Sequence, residues 1–148
     1  MGTRYNGTKE ERRSLSTFIR MMRGVESFNI RTFNMSPASQ LSLSQFAAME
    51  ALFHLGPMYQ KDIAAKLLKT SGNLTMVINN LEKQGLAKRN RLQADRRFTT
   101  VHLTKKGTKL MEEIFPKHAE IITREMSVLS GEEQETLGYL CKKLGLGK

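Results

Sequence analysis

Apolar positions recur through the first part of the chain at helical spacing. Leu15, Phe18, Met22 and Val25 follow one another at steps of three and four, which puts them on one face of a 3.6-residue turn. Ile19, Ile30 and Phe33 widen or extend that stripe, and Thr8-Lys9-Glu10-Glu11 has capping-box spacing. The pattern predicts one long helix from about Lys9 to Phe33. A stripe sustained this long implies packing beyond one small core. Asn34 to Leu43, with Pro37 and several serines, reads as a connector. Ser44 is then expected to cap a second helix through Phe46, Met49, Leu52 and Phe53, ended by Gly56-Pro57. A short third helix, about Gln60 to Leu68, turns Ile63, Ala64 and Leu67 inward. Lys69 to Ser71 is a tight connection, and Thr70 can cap a fourth helix. Leu74, Val77, Ile78 and Leu81 make an i, i+3, i+4, i+7 face on it, and Gly85 marks its end.

The periodicity then changes. Leu86 to Arg89 and Phe98 to Leu103 are short segments, the second alternating Thr99, Val101 and Leu103 on one side. The polar stretch Asn90 to Arg97 between them reads as the tip of a β-hairpin. Thr104 is expected to cap a further helix through Leu110, Met111, Ile114, Ile121 and Ile122, kinked at Pro116. Ser130-Gly131-Glu132-Glu133 is a second capping box, and the last helix would turn Leu137, Leu140, Cys141 and Leu144 inward. The fold class that follows is mainly α with a small two- or three-stranded β-wing. A winged helix-turn-helix over 44–104 is flanked by long helices over 8–34 and 105–148, and residues 1–148 form a single unit.

Composition narrows the function. At 148 residues, 39% hydrophobic and 26% charged, the chain is one ordinary globular domain. Its longest apolar run is Phe46 to Met49, too short for a membrane span or a secretory core, so the expected location is the cytoplasm. The single cysteine, Cys141, agrees with a reducing compartment. The formal net charge is +10, and residues 60–109 carry twelve Lys and Arg against three Asp and Glu. Clustered cations of this kind suit a polyanion, because they release condensed counterions from phosphates. The alternative is a basic face kept for solubility.

A short helix, a tight turn, an amphipathic helix and a β-ribbon place the second helix of the pair in the DNA major groove. Wheel geometry sets Gly72, Met76, Asn79, Asn80 and Lys83 opposite the apolar face, with Asn73 and Thr75 on its flanks and Ser71 opening the helix. Asn can pair with adenine, Thr and Met can touch a thymine methyl, and Gly72 permits close backbone approach. A merely solvated face more often carries Glu and Lys. Ser71, Gly72, Asn73, Thr75, Met76, Asn79 and Lys83 are therefore the candidate DNA-binding residues of this helix.

Five pieces, in order, then resemble one family: Leu43-Ser44-Gln45-Phe46, Asp62-Ile63-Ala64-Ala65-Lys66-Leu67, Leu81-Glu82-Lys83-Gln84-Gly85-Leu86, Asp95-Arg96-Arg97, and Val101-His102-Leu103-Thr104-Lys105-Lys106-Gly107. From Leu43 to Leu110 the chain is similar to the MarR (multiple-antibiotic-resistance regulator) family of bacterial transcription factors. The resemblance implies a homodimer formed by the flanking helices, 8–34 and 105–148, on a pseudo-palindromic operator. It implies that Arg97 enters the minor groove, that Asp95 buttresses the wing, and that Arg96 contacts phosphate or holds the wing. The chain departs from the family in two places. Asn79-Asn80 stands where an Asp-Arg pair is common, and the first helix lacks the cysteine of peroxide-sensing members.

Other chemistry is weakly represented. His54, His102 and His118 are far apart and accompany no cysteine cluster, so no metal site is expected. With no glycine-rich phosphate loop and no nucleophile–base signature, neither an enzyme nor a cofactor is expected. Cys141, on an apolar face, is read as a core residue rather than a sensor. Met21, Met22, Met49, Met58 and Met111 serve as core filling or as an adaptable pocket for a small apolar or aromatic effector. The expected function is a ligand-responsive repressor binding double-stranded DNA as a homodimer. The rivals are a non-specific architectural DNA-binding protein and a winged-helix protein-interaction module.

Overall fold

The computed structural model describes residues 2–90 and 98–148. The element order is α1 (Lys9–Thr32), a 3-10 turn (Pro37–Gln40), α2 (Leu43–Leu55), β1 (Met58–Tyr59), α3 (Gln60–Lys66), α4 (Ser71–Lys83), β2 (Ala87–Asn90), β3 (Thr100–Leu103), α5 (Lys105–Met126) and α6 (Gly131–Leu146). The fold is mainly helical with a three-stranded antiparallel sheet of order β1-β3-β2. In it Val101 faces both Met58 and Arg89. The two-residue strand β1 is an addition to the hairpin read from the sequence.

Two compact units are present, one of residues 1–35 with 119–148 and one of residues 36–118. The second holds every buried hydrophobic side chain found among the described residues. Phe46, Met49, Leu52, Ile63, Leu74, Ile78, Leu81, Val101, Met111 and Ile114 are each at most 3% exposed. The apolar faces expected on α2, α3 and α4 therefore form one core, with Leu67 and Val77 only half-buried at its edge.

Local chemistry sets the boundaries. Ser42, not Ser44, caps α2, because its hydroxyl accepts the Gln45 N–H while Gln45 returns a carbonyl to the Ser42 N–H. That reciprocal pair satisfies two otherwise orphaned donors, which Ser44, already inside the helix, cannot do. Helix α3 stops at Lys66 rather than Leu68. Leu68 takes a left-handed φ of 53°, and the Lys69 and Leu68 N–H groups close back on Ala64 and Ala65. The same double closure ends α4 at Gly85, whose N–H reaches Glu82 while that of Leu86 reaches Leu81. Gly85, at φ 70°, meets the demand without strain.

Thr104 ties the sheet to α5. Its hydroxyl donates to the Gly85 carbonyl at 2.5 Å and accepts the Gly107 N–H at 3.0 Å. Pro116 lies inside α5 without ending it.

The first unit is built differently. Thr8 and Ser130 each form the expected capping box, and Arg31 pairs with Glu125 at 3.0 Å. Yet α6 contains no buried residue. Leu137, Leu140 and Leu144 are 44%, 52% and 63% exposed, and Cys141 is exposed as well. The inward orientation expected for these four is corrected: the stripe exists, but nothing among the described residues covers it. Leu15, Phe18, Met22 and Val25 of α1 are exposed in the same way. No helix among the described residues is long and apolar enough to cross a membrane.

Candidate nucleic-acid interface

Helix α4 presents three strips along its length. Leu74, Ile78 and Leu81 are fully buried and seat the helix in the core of the second unit. Opposite them Ser71, Gly72, Asn73, Met76, Asn80 and Lys83 are exposed, Met76 by 64%. Thr70 caps the helix, its hydroxyl accepting the Asn73 N–H at 3.2 Å. Asn73, Met76 and Asn80 border an open groove of about 300 Å³ shared with Ser42, Ser44, Gln45 and Lys69. This surface offers amide, hydroxyl, thioether and ammonium groups at helical spacing, the mixture that base edges and phosphates can use.

The third strip is Thr75, Asn79 and Glu82, and it is already engaged. Arg89 of β2 reaches all three. Its Nη1 donates to Asn79 Oδ1 at 2.8 Å and to the Glu82 carboxylate, and its Nη2 donates to the Thr75 carbonyl at 3.3 Å. Arg89 Nε donates at 3.0 Å to Gln60, the first residue of α3, and the Gln60 amide donates in turn to the Thr75 hydroxyl at 3.0 Å. That hydroxyl itself donates to the Ser71 carbonyl at 2.8 Å. Of the candidates on this helix, Thr75 and Asn79 are thus held within the protein, whereas the side chains of Asn73, Met76 and Lys83 are exposed on the outward face.

Arg89, Glu82 and Gln60 were not singled out from the sequence. The available signal is the alternation of β2: Arg89 shares a side of the strand with buried Ala87, and a charge on an inward side requires a partner. Asn79, one of the pair that departs from the family pattern, is bound by this arginine through a neutral amide. The wing candidates Asp95, Arg96 and Arg97 lie outside the described residues.

The histidines do not converge on a metal: among the described residues no group of His, Cys, Asp and Glu could hold one. His54 and His118 instead flank Phe115, with ring centroids 4.6 Å and 6.2 Å away, and His118 meets Phe46 edge-on at 4.7 Å. Ser36 Oγ lies 3.0 Å from His118 Nδ1. Burial lowers the pKa of His118 below the ordinary 6.5, and the nearby Glu50 carboxylate opposes the shift.

Comparison with known proteins agrees with this geometry. The MarR family model matches residues 41–99. The chain is 37% identical over 134 residues to the HTH-type transcriptional regulator MhqR of Bacillus subtilis, covering 90% of this chain and 92% of that protein. Among solved structures it is similar to Bordetella bronchiseptica BpsR, whose DNA binding is regulated by 6-hydroxynicotinic acid. The TM-score is 0.78 at 27% identity, over 87% of this chain and 98% of that one. The fold also matches NadR in complex with 4-hydroxyphenylacetate, with TM-score 0.75 at 24% identity over 88% and 95% of the two chains.

Proposed function

The chain belongs to the MarR family of DNA-binding transcriptional regulators, and from that premise we propose that it is a homodimeric repressor released from a pseudo-palindromic operator by a small aromatic effector. The observation that carries the reading is the pairing of an outward polar face on α4 with uncovered apolar stripes on α1 and α6. The first is suited to a major groove. The second leaves Leu15, Phe18, Met22 and Val25 of α1 and Leu137, Leu140 and Leu144 of α6 exposed, a clustering of apolar side chains that marks an interaction face. A second copy covering both stripes would fill that role and set two α4 helices at a fixed separation, which operator recognition requires to be about 34–36 Å.

In this reading Ser71, Gly72, Asn73, Met76 and Lys83 contact DNA directly, and Asn73 and Met76 read base edges. Thr75 and Asn79 stand at the margin of that face, each held by the protein itself. Asp95, Arg96 and Arg97 form the wing, with Arg97 in the minor groove, where narrow A·T-rich tracts attract arginine. The protein acts in the cytoplasm, where the DNA is. Regulation of BpsR by 6-hydroxynicotinic acid supports a hydroxylated aromatic acid as the effector class. Such a ligand would act by favouring a dimer whose reading helices no longer match the operator spacing.

Selection of bound duplexes from a random pool at near-physiological salt tests the proposal. The expected result is an enriched inverted repeat bound about 10³-fold or more tighter than random DNA. Binding without enrichment would instead make the protein an architectural DNA coat.

A further inference from the structure

We propose that Arg89 is a positioning residue for sequence recognition, one that orients the reading helix without touching DNA. The inference deepens the reading above and rests on α4 being the helix that reads bases. The side chain of Arg89 is only 9% exposed, so its charge is withdrawn from phosphates and answered by Glu82. Its three nitrogens are all spent, on Gln60, Asn79, Glu82 and Thr75. Those partners come from two helices, while Arg89 itself belongs to the strand that leads into the wing. One planar fork therefore fixes α4 against both α3 and β2, along the strip that borders the outward face.

The consequence reaches the bases through geometry. Thr75, Asn79 and Glu82 lie at steps of four and three along α4, so bonds to all three define the rotation of the helix about its axis on the side the apolar core leaves open. Asn79 is the sensitive point. A carboxylate there would bind an arginine through either oxygen, whereas an amide has one oxygen, and accepting from Arg89 dictates which way its N–H₂ group turns. Lysine could keep the pair with Glu82 but, as a single ammonium, could not serve Gln60, Asn79 and Thr75 as well.

The test compares wild type, Arg89→Lys and Asn73→Ala by fluorescence anisotropy, using the duplex enriched from the random pool and a scrambled duplex of equal composition. Salt dependence is recorded for each. For Arg89→Lys we expect at least a tenfold loss in the ratio of the two affinities, with scrambled-duplex affinity and salt slope unchanged. If Asn73→Ala relaxes base preference while Arg89→Lys leaves the ratio intact, the positioning role is wrong. If Arg89→Lys weakens both duplexes equally and alters the salt slope, Arg89 is a phosphate contact and the inference is overturned. If neither variant changes preference, α4 does not read bases and the premise itself fails. Gln60→Ala, which removes an acceptor at the half-buried edge of the network, provides a milder variant should Arg89→Lys unfold, and the same pattern is expected at smaller size.

Discussion

At position 107 only glycine fits. A methyl group there would be driven into the carbonyl of Leu86, the same carbonyl that accepts the Thr104 N–H at 3.1 Å. The backbone cannot withdraw without breaking the joint between sheet and α5. We expect Gly107→Ala to cost at least about 2 kcal/mol in chemical denaturation, since overpacking against backbone has no soft escape; an unchanged midpoint would mean the joint is looser than this geometry. His118 adds a pH dependence. Burial depresses its pKa in the folded chain, so on acidification the unfolded chain takes up the proton first. Its contribution to stability is complete above the ordinary value of 6.5 and is lost as pH falls from there through the lower folded value. Melting temperatures measured at steps from pH 7.5 to 5 should therefore fall less in His118→Gln than in wild type.

Among the elements, the helices were legible where their ends carry reciprocal chemistry. Thr8 with Glu11 and Ser130 with Glu133 are read straight from residue types and spacing, and Thr70 is read as a simple one-way cap. The start of α2 is ambiguous in the sequence because two serines stand two residues apart, and only the backbone shows that Ser42 is the one with extended geometry. Ser42→Ala should cost about 1 kcal/mol and Ser44→Ala much less, a contrast that thermal melts can resolve. The network around Arg89 was hidden for a different reason. It joins positions on three elements, and although alternation in Ala87-Lys88-Arg89-Asn90 puts Arg89 on the side of Ala87, nothing in that run names its partners Gln60, Asn79 and Glu82. The outward face of α4 was legible because its apolar face is unambiguous, but the division between free and engaged polar residues was not.

For the whole molecule, the lesson of α1 and α6 is that an apolar stripe announces a need for cover and not its source. Leu137, Leu140, Cys141 and Leu144 were expected inside their own chain, yet they are exposed. The proposed second copy would resolve that disagreement and supply the two-fold symmetry of an operator-binding dimer. Leu140→Glu, which puts a charge in the middle of the α6 stripe, should shift sedimentation toward monomer at micromolar concentration while leaving the helical circular dichroism in place. A variant that remained as self-associated as wild type would remove α6 from the interface.

The central claim is that two copies of α4 meet DNA at one fixed spacing, and altering the spacing between operator half-sites tests it most directly. Inserting roughly five base pairs, half a helical turn, rotates the second half-site to the far side of the duplex. The account predicts that affinity then falls to that of a single half-site. Equal affinity for the native and the half-turn spacing would contradict it, because the two reading helices would not be acting as a rigid pair.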